Sequence, residues 1–142
     1  MSSTTHNHTD ASCIFCKIIA GSIPSMKLFE TDKVYAFLDI GPIAPKHCLV
    51  IPKWHGAKIT DIPDDYLMEI APALKRIAIA SGEENYNLLA NAGTIAHQVV
   101  MHLHWHFIPK PDEKQGLGVG WPATKPEKKE LQRIYDELKQ KL

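Results

Sequence analysis

Apolar and polar positions along this chain change period several times, and each change marks an element. Cys13 to Ile19 is an apolar knuckle or short helix, closed by the turn Gly21-Ser22-Ile23-Pro24. Lys27 to Glu30 and Val34 to Leu38 read as two strands joined at Thr31-Asp32-Lys33. Two prolines between Gly41 and Pro45 mark a loop. Cys48 to Ile51 is a continuous apolar run, the pattern of a buried strand, broken by Pro52-Lys53-Trp54-His55-Gly56. From Pro63 to Ala80, Leu67, Ile70, Leu74 and Ile77 recur at helical spacing, with Asp64 and Asp65 suited to a first turn. Pro72 inside that span predicts a kink or a late start. Tyr86 to Ala90 is another strand, Asn91 to His97 a loop, and Gln98 to Ile108 an alternating strand. Residues 110 to 126 hold three prolines and three glycines and form a long loop. A last helix opens at Thr124-Lys125-Pro126-Glu127, with Leu131, Ile134, Leu138 and Leu142 as its stripe. The sum is an α+β fold: an antiparallel sheet of about five strands with two main helices.

Length supports one domain, since 142 residues can bury roughly 68–70% of their unfolded surface. Met1 to Ser12 is polar, without the apolar stretch of a secretion signal, and reads as a disordered tail. The single domain spans residues 13–142. Sixteen basic and sixteen acidic side chains balance, which argues against a nucleic-acid or membrane-surface footprint. Any anionic ligand must be held by a few placed groups. Three cysteines do not form a secreted disulfide framework, so a reducing compartment, cytoplasm or also nucleus, is expected.

The chemistry is in the histidines, eight in all, six of them between His47 and His106. On a strand, His102, His104 and His106 share a face, while Leu103, Trp105 and Phe107 face a core. Neighbouring histidines then stand roughly 6.6 Å apart, and the outer two roughly 13 Å. One metal with Zn–N bonds near ~2.1 Å cannot take all three, so they divide their labour. Burying clustered polar rings is costly, which disfavours a packing role for the trio. A metal-binding strip is the other simple reading. Neutral imidazole is a nucleophile near pH 7 and can attack phosphorus to form a covalent N–P bond. Cys13-x-x-Cys16 has metal-ligand spacing and could form a Cys₂His₂ zinc site with two histidines, although spacing alone does not choose which.

The run Gln98-Val99-Val100-Met101-His102-Leu103-His104-Trp105-His106-Phe107-Ile108 resembles the signature of the histidine triad (HIT) superfamily. Cys13 to Ile19, Ala36 to Ile40, His47 to His55 and Asn91-Ala92-Gly93 stand in that family's order, and Gly120-Trp121-Pro122 resembles its Hint branch. The resemblance implies hydrolysis of purine nucleoside 5′-phosphoramidates, with AMP as the prototype nucleotide. It makes His104 the nucleophile, with its other ring nitrogen held by a backbone carbonyl. His106 becomes the phosphate donor and His47 a supporting histidine. Asp39 would accept from the ribose hydroxyls. Ile14, Phe15, Ile18, Phe37, Ile40 and Leu49 would line the base pocket, although periodicity alone reads all six as core. Asn91 and the Gln98 region would reach the phosphate. Zinc-binding relatives imply His55 and His102 as the partners of Cys13 and Cys16. A homodimer joined sheet edge to sheet edge is implied, and no Mg²⁺ requirement. Two departures stand out. His97 replaces a usual glycine, which predicts a bulkier loop with a different backbone conformation. Val99 replaces a frequent serine, which removes a possible proton donor. A Fhit-type dinucleoside polyphosphate hydrolase and a zinc-stapled nucleotide-binding module with little turnover are the alternative readings.

Overall fold

The computed structural model describes residues 8–142. Five antiparallel strands form one sheet: β1 (Lys27–Glu30), β2 (Val34–Leu38), β3 (Cys48–Pro52), β4 (Tyr86–Leu89) and β5 (Trp105–Pro109). Their order across the sheet is β1-β2-β3-β5-β4. The expected α+β architecture is present, and its central strands are covered on both faces. On one face Val34, Ala36, Cys48, Val50 and Phe107 meet Ile70, Ala73, Leu74 and Ile77 of helix α3 (Ile70–Ser81). On the other, Tyr35, Phe37, Leu49 and Ile51 meet Phe15 and Ile18 of helix α1 (Ile14–Ala20). Double coverage explains why β3 reads as a continuous apolar run rather than an alternating one.

Local chemistry sets the element ends. Cys13 caps α1, its sulfur accepting the Cys16 N–H at 3.5 Å. Gly21 closes that helix in the left-handed region at φ 85°. The helix expected over residues 63–80 is divided: α2 covers Asp64–Leu67, and α3 starts at Ile70. Pro72 accounts for the break. It has no N–H for the Met68 carbonyl, and its ring crowds the preceding turn.

Three expectations are corrected here. First, the regular strand does not run from Gln98 to Ile108 but only from Trp105 to Pro109. β5 pairs with β3 from Cys48↔Phe107 to Val50↔Trp105 and goes no further. Pro52 has no N–H to extend that ladder. Its carbonyl is taken by the His102 ring, and Leu103 N–H turns instead to Gly56 O at 2.7 Å. Glycine is required at that contact, because a Cβ on Gly56 would stand 2.8 Å from Asp61 and Ile62. Second, the tail expected to be disordered over residues 1–12 is ordered from His8 onward, folded against Trp54, His55 and α1. His6 lies outside the described residues. Third, helix α4 (Lys128–Lys141) exposes every residue, including the stripe Leu131, Ile134 and Leu138. That stripe covers no part of the sheet.

Candidate functional site

The alternation of the histidine run survives although its first half is not strand. Leu103 is buried with Ile62 and Tyr66, and Phe107 lies in the α3 core. His102, His104 and His106 point the other way. A backbone contact decides the proton position on each ring.

His104 is the simplest case. Its Nδ1–H donates to the His102 carbonyl at 2.7 Å. A carbonyl can only accept, so Nδ1 holds the proton and Nε2 keeps a free lone pair. The ring is 7% exposed and stands edge-on to Phe15, centroids 5.1 Å apart. Burial pushes its pKa below the ordinary value, only partly opposed by the His102 carbonyl and Asp39, which keeps the imidazole neutral.

His106 is set through His47. The Ile43 N–H donates to His47 Nδ1 at 3.3 Å, which leaves the His47 proton on Nε2. That Nε2–H donates to His106 Nδ1 at 2.9 Å, with Asp39 Oδ2 a further 3.5 Å acceptor. His106 therefore carries its proton on Nε2, beside the His104 ring at a centroid distance of 5.0 Å. Burial, reinforced by His104 and His47, lowers the His106 pKa to about 4, and burial lowers that of His47 as well. The result is a lone pair on His104 next to an N–H donor on His106.

His102 faces elsewhere. Fully buried, it donates from Nε2 to the Pro52 carbonyl at 2.8 Å, so its bare Nδ1 points at the cysteines. Nδ1 is 3.4 Å from Cys13 Sγ, 3.6 Å from Cys16 Sγ and 3.2 Å from His55 Nδ1. His55 Nδ1 is 3.5 Å from Cys16 Sγ. All four ligand atoms lie within 4.8 Å of one another. A tetrahedral zinc with bonds of about 2.1–2.3 Å needs ligand atoms roughly 3.4–3.8 Å apart. The soft donor set and these spacings therefore fit zinc, and the Pro52 bond holds His102 in the tautomer a metal requires.

The remaining predicted residues divide. Phe15, Ile18, Phe37 and Leu49 are buried in the α1 core, whereas Ile14 is half exposed and Ile40 is 91% exposed. Asp39 stands at the end of β2, its Oδ1 accepting the Gly41 N–H at 2.8 Å. Asn91 reaches the His97 carbonyl at 3.4 Å. Gln98 is buried. It accepts the Gly93 N–H and donates to the Ala57 and Val100 carbonyls, pinning the loop that ends at exposed Val99. His97 has φ 73° and ψ 18°, the left-handed conformation that glycine favours. His8, Asp10, Trp54 and the backbone of Ile43 were not legible as site residues, because a tail and a proline-rich loop carry no periodic signal.

A HIT domain model matches residues 20–113. The chain belongs to the HIT domain family. It is 56% identical over 133 residues to the adenosine 5′-monophosphoramidase HNT1 of Saccharomyces cerevisiae, covering 94% of this chain and 84% of that protein. It is 55% identical over 140 residues to the Candida albicans enzyme of the same name, covering 93% and 92%. Among solved structures, a histidine triad nucleotide-binding protein from Candida albicans superposes with a TM-score of 0.88 at 54% identity, over 92% of this chain and 96% of that one. In this HIT domain the triad is therefore two half-sites back to back. His104 and His106 stand ring beside ring, and His102 closes onto two cysteines.

Proposed function

We propose that this HIT protein hydrolyses purine nucleoside 5′-phosphoramidates, AMP-amine compounds above all, through a covalent intermediate on His104. The observation that carries the reading is the pair of tautomers: a bare Nε2 on His104 beside an Nε2–H on His106. The names of the HNT1 relatives support the substrate class. In the first step the His104 Nε2 lone pair attacks the α-phosphorus. A histidine N–P bond forms as the P–N bond to the amine breaks, and the amine leaves with a proton. Val99 has no proton to give and is 87% exposed, so water supplies it. His106 Nε2–H donates to a phosphate oxygen as charge develops. In the second step water attacks phosphorus, the His104–phosphorus bond breaks, and the nucleoside monophosphate leaves with release of a proton. Asp39 takes the ribose hydroxyls, and the apolar residues around Phe15 and Phe37 take the base.

Cys13, Cys16, His55 and His102 are the residues that would hold a zinc ion, whose contribution is to tie α1 to the segment before β5. That tie matters because Phe15 sits between Cys13 and Cys16 and touches the His104 ring. Metal content of about one zinc per chain, reduced in Cys13→Ser, is the expected result. A homodimer is proposed along edge strand β4, where Tyr86 and Leu88 stand exposed. Three free thiols suit a cytoplasmic or nuclear setting.

The test compares wild type with His104→Ala on AMP-phosphoramidate and on a diadenosine polyphosphate. Wild type should cleave the phosphoramidate faster, and His104→Ala should lose turnover while still binding AMP. Undiminished activity in His104→Ala would overturn the mechanism. Binding of AMP without turnover of either compound would leave a nucleotide-binding module instead.

A further inference from the structure

We infer that the N-terminal strap His8–Ser12 is the outer shell of the Cys13, Cys16, His55 and His102 site, with Asp10 as its positioning residue. The inference rests on the metal reading above and concerns residues outside the HIT domain match at 20–113.

Asp10 touches three of the four ligand residues. Its carbonyl accepts the Cys13 N–H at 3.1 Å. Its own N–H donates to Cys16 Sγ at 3.5 Å. Its carboxylate Oδ2 stands 3.8 Å from His55 Nε2, the ring nitrogen that faces away from the cysteines. The other carboxylate oxygen accepts from Ser12 N–H at 2.8 Å and Ser12 Oγ at 2.6 Å, which holds the side chain in place. A carboxylate behind one nitrogen of a ligating imidazole orients the ring and favours the proton on that nitrogen, leaving the other free for metal. An N–H donated to a cysteine sulfur stabilises negative charge there, as a thiolate ligand requires.

His8 latches the strap. Its Nδ1–H donates to the His55 carbonyl at 2.9 Å, and the His55 N–H donates back to the His8 carbonyl at 2.6 Å. Its ring stacks on Trp54 at a centroid distance of 5.2 Å. His55 is thus flanked on both sides, its backbone bonded to His8 and its ring faced by the Asp10 carboxylate at 3.8 Å. No other described carboxylate is paired with His55. Behind the strap lies a cleft of about 350 Å³ bordered by Asp10, Cys13, His55 and Val99. Without the strap, that cleft would open the His55 edge of the site to solvent and to competing chelators.

The experiment uses the full chain with Zn²⁺, and with Co²⁺ as a spectroscopic probe. Zinc affinity and release rate are measured against a chromogenic chelator for wild type, Asp10→Ala, Asp10→Asn and His8→Ala. Loss of an outer-shell partner weakens metal affinity by about 10–100-fold. Asp10→Ala should fall in that range, with faster release and a shifted Co²⁺ absorption band. Both variants keep the backbone N–H to Cys16, but Asp10→Asn also keeps a side-chain acceptor for Ser12, so it should lose less. His8→Ala should speed exchange of the His55 amide and release zinc faster than wild type. Equal affinity, release and Co²⁺ spectrum in wild type and Asp10→Ala would overturn the strap alone. Failure of wild type to hold zinc would overturn both the strap and the metal reading. A lower melting temperature of metal-free Asp10→Ala than of metal-free wild type would also overturn it, because the effect would then lie in the fold rather than the site.

Discussion

Gln98 offers a sharp test of how the loop between β4 and β5 is held. The side chain is buried and makes three hydrogen bonds: Oε1 accepts Gly93 N–H at 2.8 Å, and Nε2 donates to Ala57 O at 2.7 Å and Val100 O at 3.1 Å. At about 1 kcal/mol net per bond, Gln98→Ala should cost about 3 kcal/mol. For a chain of this length that lowers the melting temperature by about 10 °C. Gln98→Glu has nearly the same shape, yet it should be worse than alanine at pH 7. The new carboxylate still accepts from Gly93 but points lone pairs at two carbonyls in a buried place. Its folded-state pKa must then rise above the unfolded value near ~4.3. A raised carboxyl pKa means the folded state binds the proton more tightly, so the deficit shrinks as pH falls through the folded pKa. Urea unfolding of the three proteins at pH 7 and pH 5 measures this. Wild-type stability of Gln98→Glu at pH 7 would refute the assigned donor and acceptor roles.

Acid should weaken the fold through the site histidines. Burial lowers the His106 pKa to about 4, against roughly 6.5 in the unfolded chain. The folded state then refuses a proton that the unfolded state takes, so stability is complete above about pH 6.5 and falls toward pH 4. His106→Gln should give a shallower decline in unfolding experiments across that range. At His97, glycine relieves a left-handed φ but also loosens the unfolded chain. His97→Gly should therefore change stability by less than about 1 kcal/mol while altering KM for the phosphoramidate, and a loss of several kcal/mol would show that the ring itself is structural.

Legibility differed along the chain for physical reasons. β1, β2 and β4 were readable because each is a short segment with strand-favouring residues between turn residues, and their observed spans match closely. That His102, His104 and His106 do not converge on one point was readable, because side chains on one face of an extended chain stand too far apart. The length of the last strand was not, because a ladder ends where its partner ends. That partner, Pro52, lies about 50 residues away in the chain, and its missing N–H stops the pairing. Nor could periodicity separate Phe15, Phe37 and Leu49, which are core, from Ile40, which is exposed.

The sequence by itself determined the residue types, their order and the alternation that sends histidines one way and apolar side chains the other. Those are local properties, set by side-chain chemistry and backbone period. Only the tertiary structure decided which nitrogen of each ring holds the proton. The Pro52 carbonyl acts on His102, the His102 carbonyl on His104, and the Ile43 N–H acts through His47 on His106. Two of those contacts join residues far apart in the chain, so no window of sequence contains both partners. Folding alone brings them within hydrogen-bonding distance.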